Sequence, residues 1–179
     1  MRTERLTPDQ FAPHAGALGE LLADVVAGGA SLGFLSGLTR DEATAWWLGR
    51  TPVVETGDLV VWAALDAADV CVGTVSLGFT RWANGRHRAE ILKLMVHDSA
   101  RGQGLARTLL TTAEQAAADA GITLLVLDTE TGSPAETLYR KAGWTEAGVI
   151  PDYAADPAGV PRPTTLFYKR PRTQDPDAH

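Results

Sequence analysis

Between Ala89 and Asp128 the chain sets a short apolar run, a glycine-broken turn, a helix-long stretch and a second apolar run in that order. This order constrains the fold more than any other feature. Ala89-Glu-Ile-Leu-Lys-Leu-Met-Val96 mixes alternation with an apolar end and predicts a strand. Gln103 to Ala120 predicts a helix, with Leu105, Leu109, Leu110 and several alanines on one face and Gly121 as its stop. Ile122-Thr-Leu-Leu-Val-Leu-Asp128 then predicts a buried strand. A whole helix separates the two strands, so they should run parallel, because a tight hairpin could only join antiparallel neighbours.

The flanks add antiparallel pieces. Leu59–Leu65 and Val70–Phe79 are β-runs joined by Asp66-Ala-Ala-Asp69, short enough for a hairpin. Before them, residues 8–28 predict a helix with Leu18, Leu21, Leu22, Val25 and Val26 on one face and Thr7 as its cap. A second helix follows over Arg40–Leu48, capped by Thr39. The apolar loop 30–38 between them either packs on the core or walls a pocket. After Asp128, Ser133-Pro-Ala-Glu136 opens a helix with Ser133 as cap, Pro134 at the first helical position and Glu136 three residues on, ending near Gly143. Trp144–Val149 reads as a short strand, 150–163 as a long loop and Thr164–Lys169 as the last strand. The expectation is one α/β domain over 1–170, without internal repeats, and a frayed tail at 171–179.

Composition narrows the function. The 179 residues are 45% hydrophobic, enough to fill a single core. The net charge of −6 argues against non-specific binding to nucleic acid or anionic lipid and suits a cationic small substrate. Cys71 is the only cysteine, which excludes an internal disulfide and a thiolate metal cluster. The first residues carry no signal-like hydrophobic region, and no run approaches the ~18 apolar residues of a membrane span, so the cytoplasm is the default compartment.

The chemistry concentrates in Leu94-Met-Val-His-Asp-Ser-Ala-Arg-Gly-Gln-Gly-Leu-Ala-Arg107. Gly102 and Gly104 bare the turn, and the helix after it offers free N–H groups and about half a positive charge, so the segment suits an anion. Arg101 and Arg107 add charge. The spacing matches neither a P-loop nor G-x-G-x-x-G.

Arg101-Gly-Gln-Gly-Leu-Ala106 resembles the R/Q-x-x-G-x-G/A signature of the GNAT acetyltransferase superfamily, placed as in that family between a strand ending L-x-V (Leu94-Met95-Val96) and a long helix. Ala135-Glu-Thr-Leu-Tyr-Arg-Lys-Ala-Gly-Trp144 is similar to the family's second signature, A-x-x-L-Y-x-K-x-G-F, with Trp144 in the place of Phe. The two lie 29 residues apart, counted from Ala106 to Ala135, and in the family's order. The resemblance implies a mixed, mostly antiparallel sheet with a central parallel pair of strands that splay apart, flanked by helices. It implies that Arg101, Gly102, Gln103, Gly104, Leu105 and Ala106 hold the pyrophosphate of acetyl-CoA, with Ser133, Ala135 and Tyr139 also lining the coenzyme. Leu94, Met95 and Val96 would bind its pantetheine arm as an added strand. A backbone N–H at Met95 or Val96 would face the tetrahedral oxyanion, and Tyr139 would protonate the departing thiolate. Many relatives carry Asn seven residues before that Tyr; here the position is Gly132, and the contact made by the Asn side chain is missing.

An amine with a reference pKa near ~10.4 must lose a proton before it attacks. Glu90 and Asp128 are the candidate acceptors, with Glu130 just beyond; both would face one cleft if their strands lie side by side. His87 and His97 compete for the role, and Trp46, Trp47, Trp62 and Trp82 either pack or line a pocket. Lys93 reads as a solvated side chain. Ala89–Leu94 with Leu127–Ser133 resembles the tabtoxin-resistance branch, and Gly29–Leu35 resembles kasugamycin-inactivating acetyltransferases. The implied reaction is acetyl transfer to a small amine-bearing antibiotic or toxin. Rival readings are acetylation of a protein N-terminus or lysine, and a catalytically silent coenzyme-binding sensor. Homodimers are common in the family.

Overall fold

A computed structural model describes residues 1–171, so the predicted tail lies outside the described residues beyond Pro171. Seven strands form one sheet: β1 (Arg2–Arg5), β2 (Leu59–Leu65), β3 (Cys71–Phe79), β4 (Arg88–Val96), β5 (Leu124–Glu130), β6 (Thr145–Ala155) and β7 (Pro161–Lys169). Their spatial order is β1-β2-β3-β4-β5-β7-β6. Every neighbouring pair is antiparallel except β4 and β5, which run parallel as their helical connection requires.

Helices cover both faces. α1 (Pro8–Ala27), α2 (Arg40–Leu48) and the short α3 (Thr51–Glu55) lie on one side, around a core that includes Phe11, Leu18, Leu22, Trp47, Val61 and Met95. α4 (Leu105–Asp119) and α5 (Pro134–Lys141) lie on the other, over Val75, Leu77, Ile91, Leu109, Leu110, Leu125 and Phe167. Leu109 and Leu110 are fully buried, and each is worth roughly 1.5–3 kcal/mol relative to exposure. Thr7 and Thr39 cap α1 and α2 through full capping boxes with Gln10 and Glu42, which satisfies donors that would otherwise be orphaned at each helix start. Gly73 lets α4 press on β3: a Cβ there would sit 3.0 Å from Leu109 Cδ1 and 3.1 Å from Leu105 Cδ2.

Several boundaries differ from the sequence reading. β1 has no signal in the sequence: its residues, Arg-Thr-Glu-Arg, show no hydrophobic alternation, and only pairing with β2 makes them a strand. α3 is a five-residue helix that no periodicity could announce. α4 starts at Leu105, two residues later than expected, because the turn holds Gln103 and Gly104 outside it. β5 is displaced two residues toward the C-terminus. The expected loop over 150–163 is mostly strand: β6 runs to Ala155, β7 begins at Pro161, and only a tight turn built on Asp156 separates them. Pro151 and Asp152 sit in a bulge of this ribbon, where four residues of β6 advance against two of β7, so the prolines mark an irregular edge strand instead of a loop. The predicted Ser133–Glu136 box forms by half. Ser133 Oγ accepts from the Glu136 N–H at 3.2 Å, but the Glu136 carboxylate passes Ser133 and accepts from the Gly132 N–H at 2.7 Å.

Candidate active site

Parallel pairing of β4 with β5 covers only Arg88–Glu90 against Leu124–Val126. Beyond Glu90 the strands part, leaving one edge of Ile91–Val96 without a neighbour. A fork of this kind opens the middle of a sheet to an extended ligand. A second irregularity shapes it. Along β4, Leu92 faces Ser76 and Met95 faces Thr74, so β4 carries one residue too many, and Lys93 takes a left-handed φ of 50°. This is a β-bulge, which bends its strand.

The backbone directions in the fork follow from strand alternation. The His97 N–H donates to Val72 O on β3 at 2.9 Å. By the two-residue repeat, Met95 also points its N–H at β3, and Val96 points its own into the gap. Of the two donors named from sequence, Val96 is therefore the free one.

The turn after β4 is anion-ready. Gly102 and Gly104 have φ of 75° and 78°, a region where a Cβ is strained. Gly104 caps α4 without any side-chain hydrogen bond, and the backbone N–H groups of Gly102 through Ala106 donate to no acceptor among the described residues. Arg101 bends back, its guanidinium 2.8 Å from Asp98 and its Nε donating to Val96 O at 3.4 Å. Arg107 is engaged elsewhere: its Nη1 donates to Lys141 O at the end of α5 at 3.1 Å.

Glu90 and Asp128 come together as the register demands. Glu90 lies opposite Val126, and Asp128 is two residues further along β5, so both side chains leave the same face of the sheet at the fork. Burial and then the nearby Asp128 charge raise the Glu90 carboxyl above its ordinary value. Asp128 keeps an edge open to solvent, yet the walls around it withhold enough water to raise it too, with the Lys93 ammonium opposing the shift. Glu130 follows on the same face, opposite Thr164.

Tyr139 enters from the other side. Its ring is 6% exposed and packs edgewise on Trp144 at 6.0 Å and tilted on Phe167 at 6.1 Å. Burial, with the Asp128 charge in second place, raises the phenol well above its ordinary value, so it keeps its proton at any physiological pH. The Trp144 departure from the usual Phe acquires a reason here. Its indole N–H donates to Glu114 Oε1 at 2.7 Å, and Glu114 also binds Lys169 at 2.7 Å, fastening α4 to the strands that hold Tyr139. Gly132 has φ of 82°. Gly and Asn are the residues that visit this region readily, so the substitution keeps the turn and loses only the side chain.

The remaining candidates separate. His97 accepts from the Ser99 N–H and lies against Asp24, seven residues past Glu90 and therefore about 20 Å along the strand. His87 is exposed, and its carbonyl accepts from Thr123 and Leu124 at the closed end of the fork. Trp47 and Trp62 are buried and Trp82 is 75% exposed, while Trp46 is partly buried beside the 30–38 loop. Cys71 is a buried thiol that burial pushes up to about 11, an inert packing group. Lys93 overturns its sequence reading: it is partly buried, and its Nζ donates to Leu32 O at 2.8 Å beside Phe34 and Trp46. The apolar loop packs on the core. Leu32, Phe34 and Leu38 pack on the α1–α2 core, and the Ser36 N–H reaches across to Pro157 O at 2.7 Å. A surface hollow of about 720 Å³ lined by Arg107, Glu114 and Lys169 includes neither carboxylate, nor Lys93, nor Tyr139.

Residues 31–144 match the Acetyltransferase (GNAT) family. The chain belongs to that family. The fork, the turn and Tyr139 all lie within the matched stretch. N-acetyltransferase 8B of Rattus norvegicus is 37% identical over 89 residues, which cover 49% of this chain and 40% of that protein. The chain thus spans less than half the length of this curated relative. A ribosomal-protein-alanine N-acetyltransferase from Brucella melitensis superposes with a TM-score of 0.75 at 23% identity, covering 95% of this chain and 99% of that one. A Salmonella typhimurium protein solved with its cofactor acetyl-CoA gives 0.73 at 21% identity, covering both chains fully. Likeness at these identities establishes the shared fold. No helix among the described residues is long and apolar enough to cross a membrane.

Proposed function

We propose that this chain is an acetyl-CoA-dependent N-acetyltransferase acting on the primary amine of a small polar molecule, of the class to which aminoglycoside antibiotics and amino-acid toxins belong, in the cytoplasm. The observation that carries the reading is the fork itself: two carboxylates on one face of parted strands, with a run of unpaired backbone donors at its outer end. The fit to the coenzyme rests on those donors. Gly102 through Ala106 offer a diphosphate free N–H groups at a helix start, and the open edge of β4 offers hydrogen bonds to an extended amide arm. Bound there, acetyl-CoA supplies an acyl group already activated as a thioester.

The chain's own groups supply the rest. Glu90 and Asp128 hold the incoming ammonium and take its proton. Their raised affinity for protons makes them better bases than an exposed carboxylate, and efficiency in proton transfer rises as the acceptor's pKa approaches the working pH. Val96 N–H is the free donor for the acyl oxygen, and donors so placed are typically worth a few kcal/mol. Tyr139 Oη holds the proton that the departing sulfur needs. Support for a small acceptor now comes from the 30–38 loop alone, which crosses from Lys93 to Pro157 over this face, since the long 150–163 loop does not exist.

The test is release of free thiol from acetyl-CoA with a panel of amines that includes kasugamycin, a tabtoxinine-type amino acid and a peptide with a free N-terminal alanine. Turnover of a small amine in preference to the peptide is expected. Turnover of the peptide alone would make it a protein acetyltransferase, and firm acetyl-CoA binding without any turnover would make it a sensor.

A further inference from the structure

The side chain that joins the fork to the helical layer is Lys93, which neither family signature contains. It stands at the bulge of β4, where a non-glycine residue with φ of 50° is held in a sparsely populated region. Such strain persists where surrounding contacts over-determine it. Here they are identifiable: Nζ donates to Leu32 O at 2.8 Å and lies 5.5 Å from the Phe34 ring centroid and 5.1 Å from that of Trp46. Phe34 and Trp46 meet edge to face at 5.5 Å, and the Arg50 guanidinium lies 4.9 Å from the Trp46 ring centroid. Without the bulge, alternation would turn residue 93 toward the opposite face of the sheet, under α4. The extra residue therefore aims an ammonium at the long connection between α1 and α2, which forms neither helix nor strand.

That segment needs fastening. Residues 30–38 contain Gly33 and Gly37 at φ of 84° and 92°; past Ala30, whose N–H donates to Val25 O at the end of α1, their backbone hydrogen-bonds to the rest of the fold among the described residues through Ser36 N–H to Pro157 O and Leu32 O to Lys93 Nζ. One tie lies on β4, the strand that carries Glu90, and the other at the β6–β7 turn, beyond the strand of Asp128 in the sheet order. From this we infer that Lys93 is a positioning residue: it pins the 30–38 segment as the wall of the acceptor cleft and thereby sets which amines fit. The functional half of the inference rests on the acceptor cleft proposed above; the mechanical half does not.

Hydrogen exchange of the protein alone tests the mechanical half. Lys93→Met removes the donor and the charge, and Lys93→Gly removes the side chain while suiting φ of 50°, so that the backbone is relieved and folding is preserved. In both variants amides of 30–38 should exchange faster by about ten-fold or more, as expected for loss of a charge-assisted bond, with β2 and β3 unchanged. Lys93→Arg should restore most of the protection. Unchanged exchange in 30–38, or acceleration spread equally over β2 and β3, overturns the assignment. For the functional half, thiol release with the small amine of the panel that the parent turns over best should show KM raised by about ten-fold in Lys93→Met at similar kcat and unaltered acetyl-CoA affinity, the pattern of lost ground-state binding. A fall in kcat alone would make Lys93 part of the chemistry and refute the positioning role. If no small amine of the panel is turned over by the parent protein, the acceptor proposal is what fails, and the exchange result still decides on the clasp.

Discussion

Gly16 and Gly19 stand three residues apart in α1, yet replacing each by alanine should move stability in opposite directions. In a helix interior alanine is favoured over glycine by about 1 kcal/mol, because glycine loses more backbone freedom on folding. Gly16 is exposed, and a Cβ added there meets nothing within 4 Å. Gly16→Ala should collect most of that gain. Gly19 faces α2, where a Cβ would lie 2.7 Å from Thr44 N and 2.8 Å from Thr44 Cα. These are backbone atoms, so no rotamer change relieves the overlap. Restoring even a 3.4 Å contact with Cα from 2.8 Å means moving α2 by about 0.6 Å, against Trp47, whose indole N–H donates to Leu18 O. Overpacking of this sort costs about 1–3 kcal/mol, and with rigid backbone as the obstacle the upper half of that range applies. Set against a propensity gain of about 1 kcal/mol, the net is a loss of about 1–2 kcal/mol. For a chain of this size 1 kcal/mol corresponds to about 2–4 °C in Tm, so Gly16→Ala should rise by about 1–4 °C and Gly19→Ala should fall by about 2–8 °C. Thermal unfolding of the two single variants beside the parent decides it. If both rise, α2 does not cross α1 at Gly19 and the layer carrying Trp46 and Trp47 is placed wrongly.

Other expectations concern the site. Tyr139→Phe should lower kcat by about ten- to a thousand-fold with little change in acetyl-CoA affinity, as for loss of a general acid; an unchanged kcat in a thiol-release assay removes Tyr139 from the mechanism. Gly104→Val should abolish acetyl-CoA binding in calorimetry, since a β-branched residue is strained at φ of 78° and its side chain crowds the bare turn; normal binding refutes the placement. The acidic limb of the kcat/KM profile should lie above the ordinary carboxylate range, because burial and the Asp128 charge both raise Glu90. Asp128→Asn removes the repulsion, so Glu90 ionises at lower pH and any residual activity should show that limb displaced toward acid. A stationary limb would show that the two carboxylates do not share one site.

Much of this was legible in the linear order of residues. The parallel pair followed from a helix-long connection, α1 and α2 from apolar spacing with threonine caps, and the bare turn before α4 from its glycines. These are local properties: periodicity, capping and bare backbone act over a few residues and need no partner to be read. What was misread depended on neighbours distant in the chain. Arg2–Arg5 becomes a strand only because β2 offers an edge, and 150–163 becomes a ribbon because β6 finds β7 despite its prolines. Arg107 reads as charge beside the glycine turn, and only the fold gives it the Lys141 carbonyl at the end of α5 as a partner. Lys93 is the sharpest case. A lysine in an alternating strand reads as solvated, and only a one-residue bulge against β3 turns it toward Leu32, Phe34 and Trp46. Side-chain type and short spacing are written in the chain, whereas register, and with it the face each residue occupies, is settled only when strands from different regions pair.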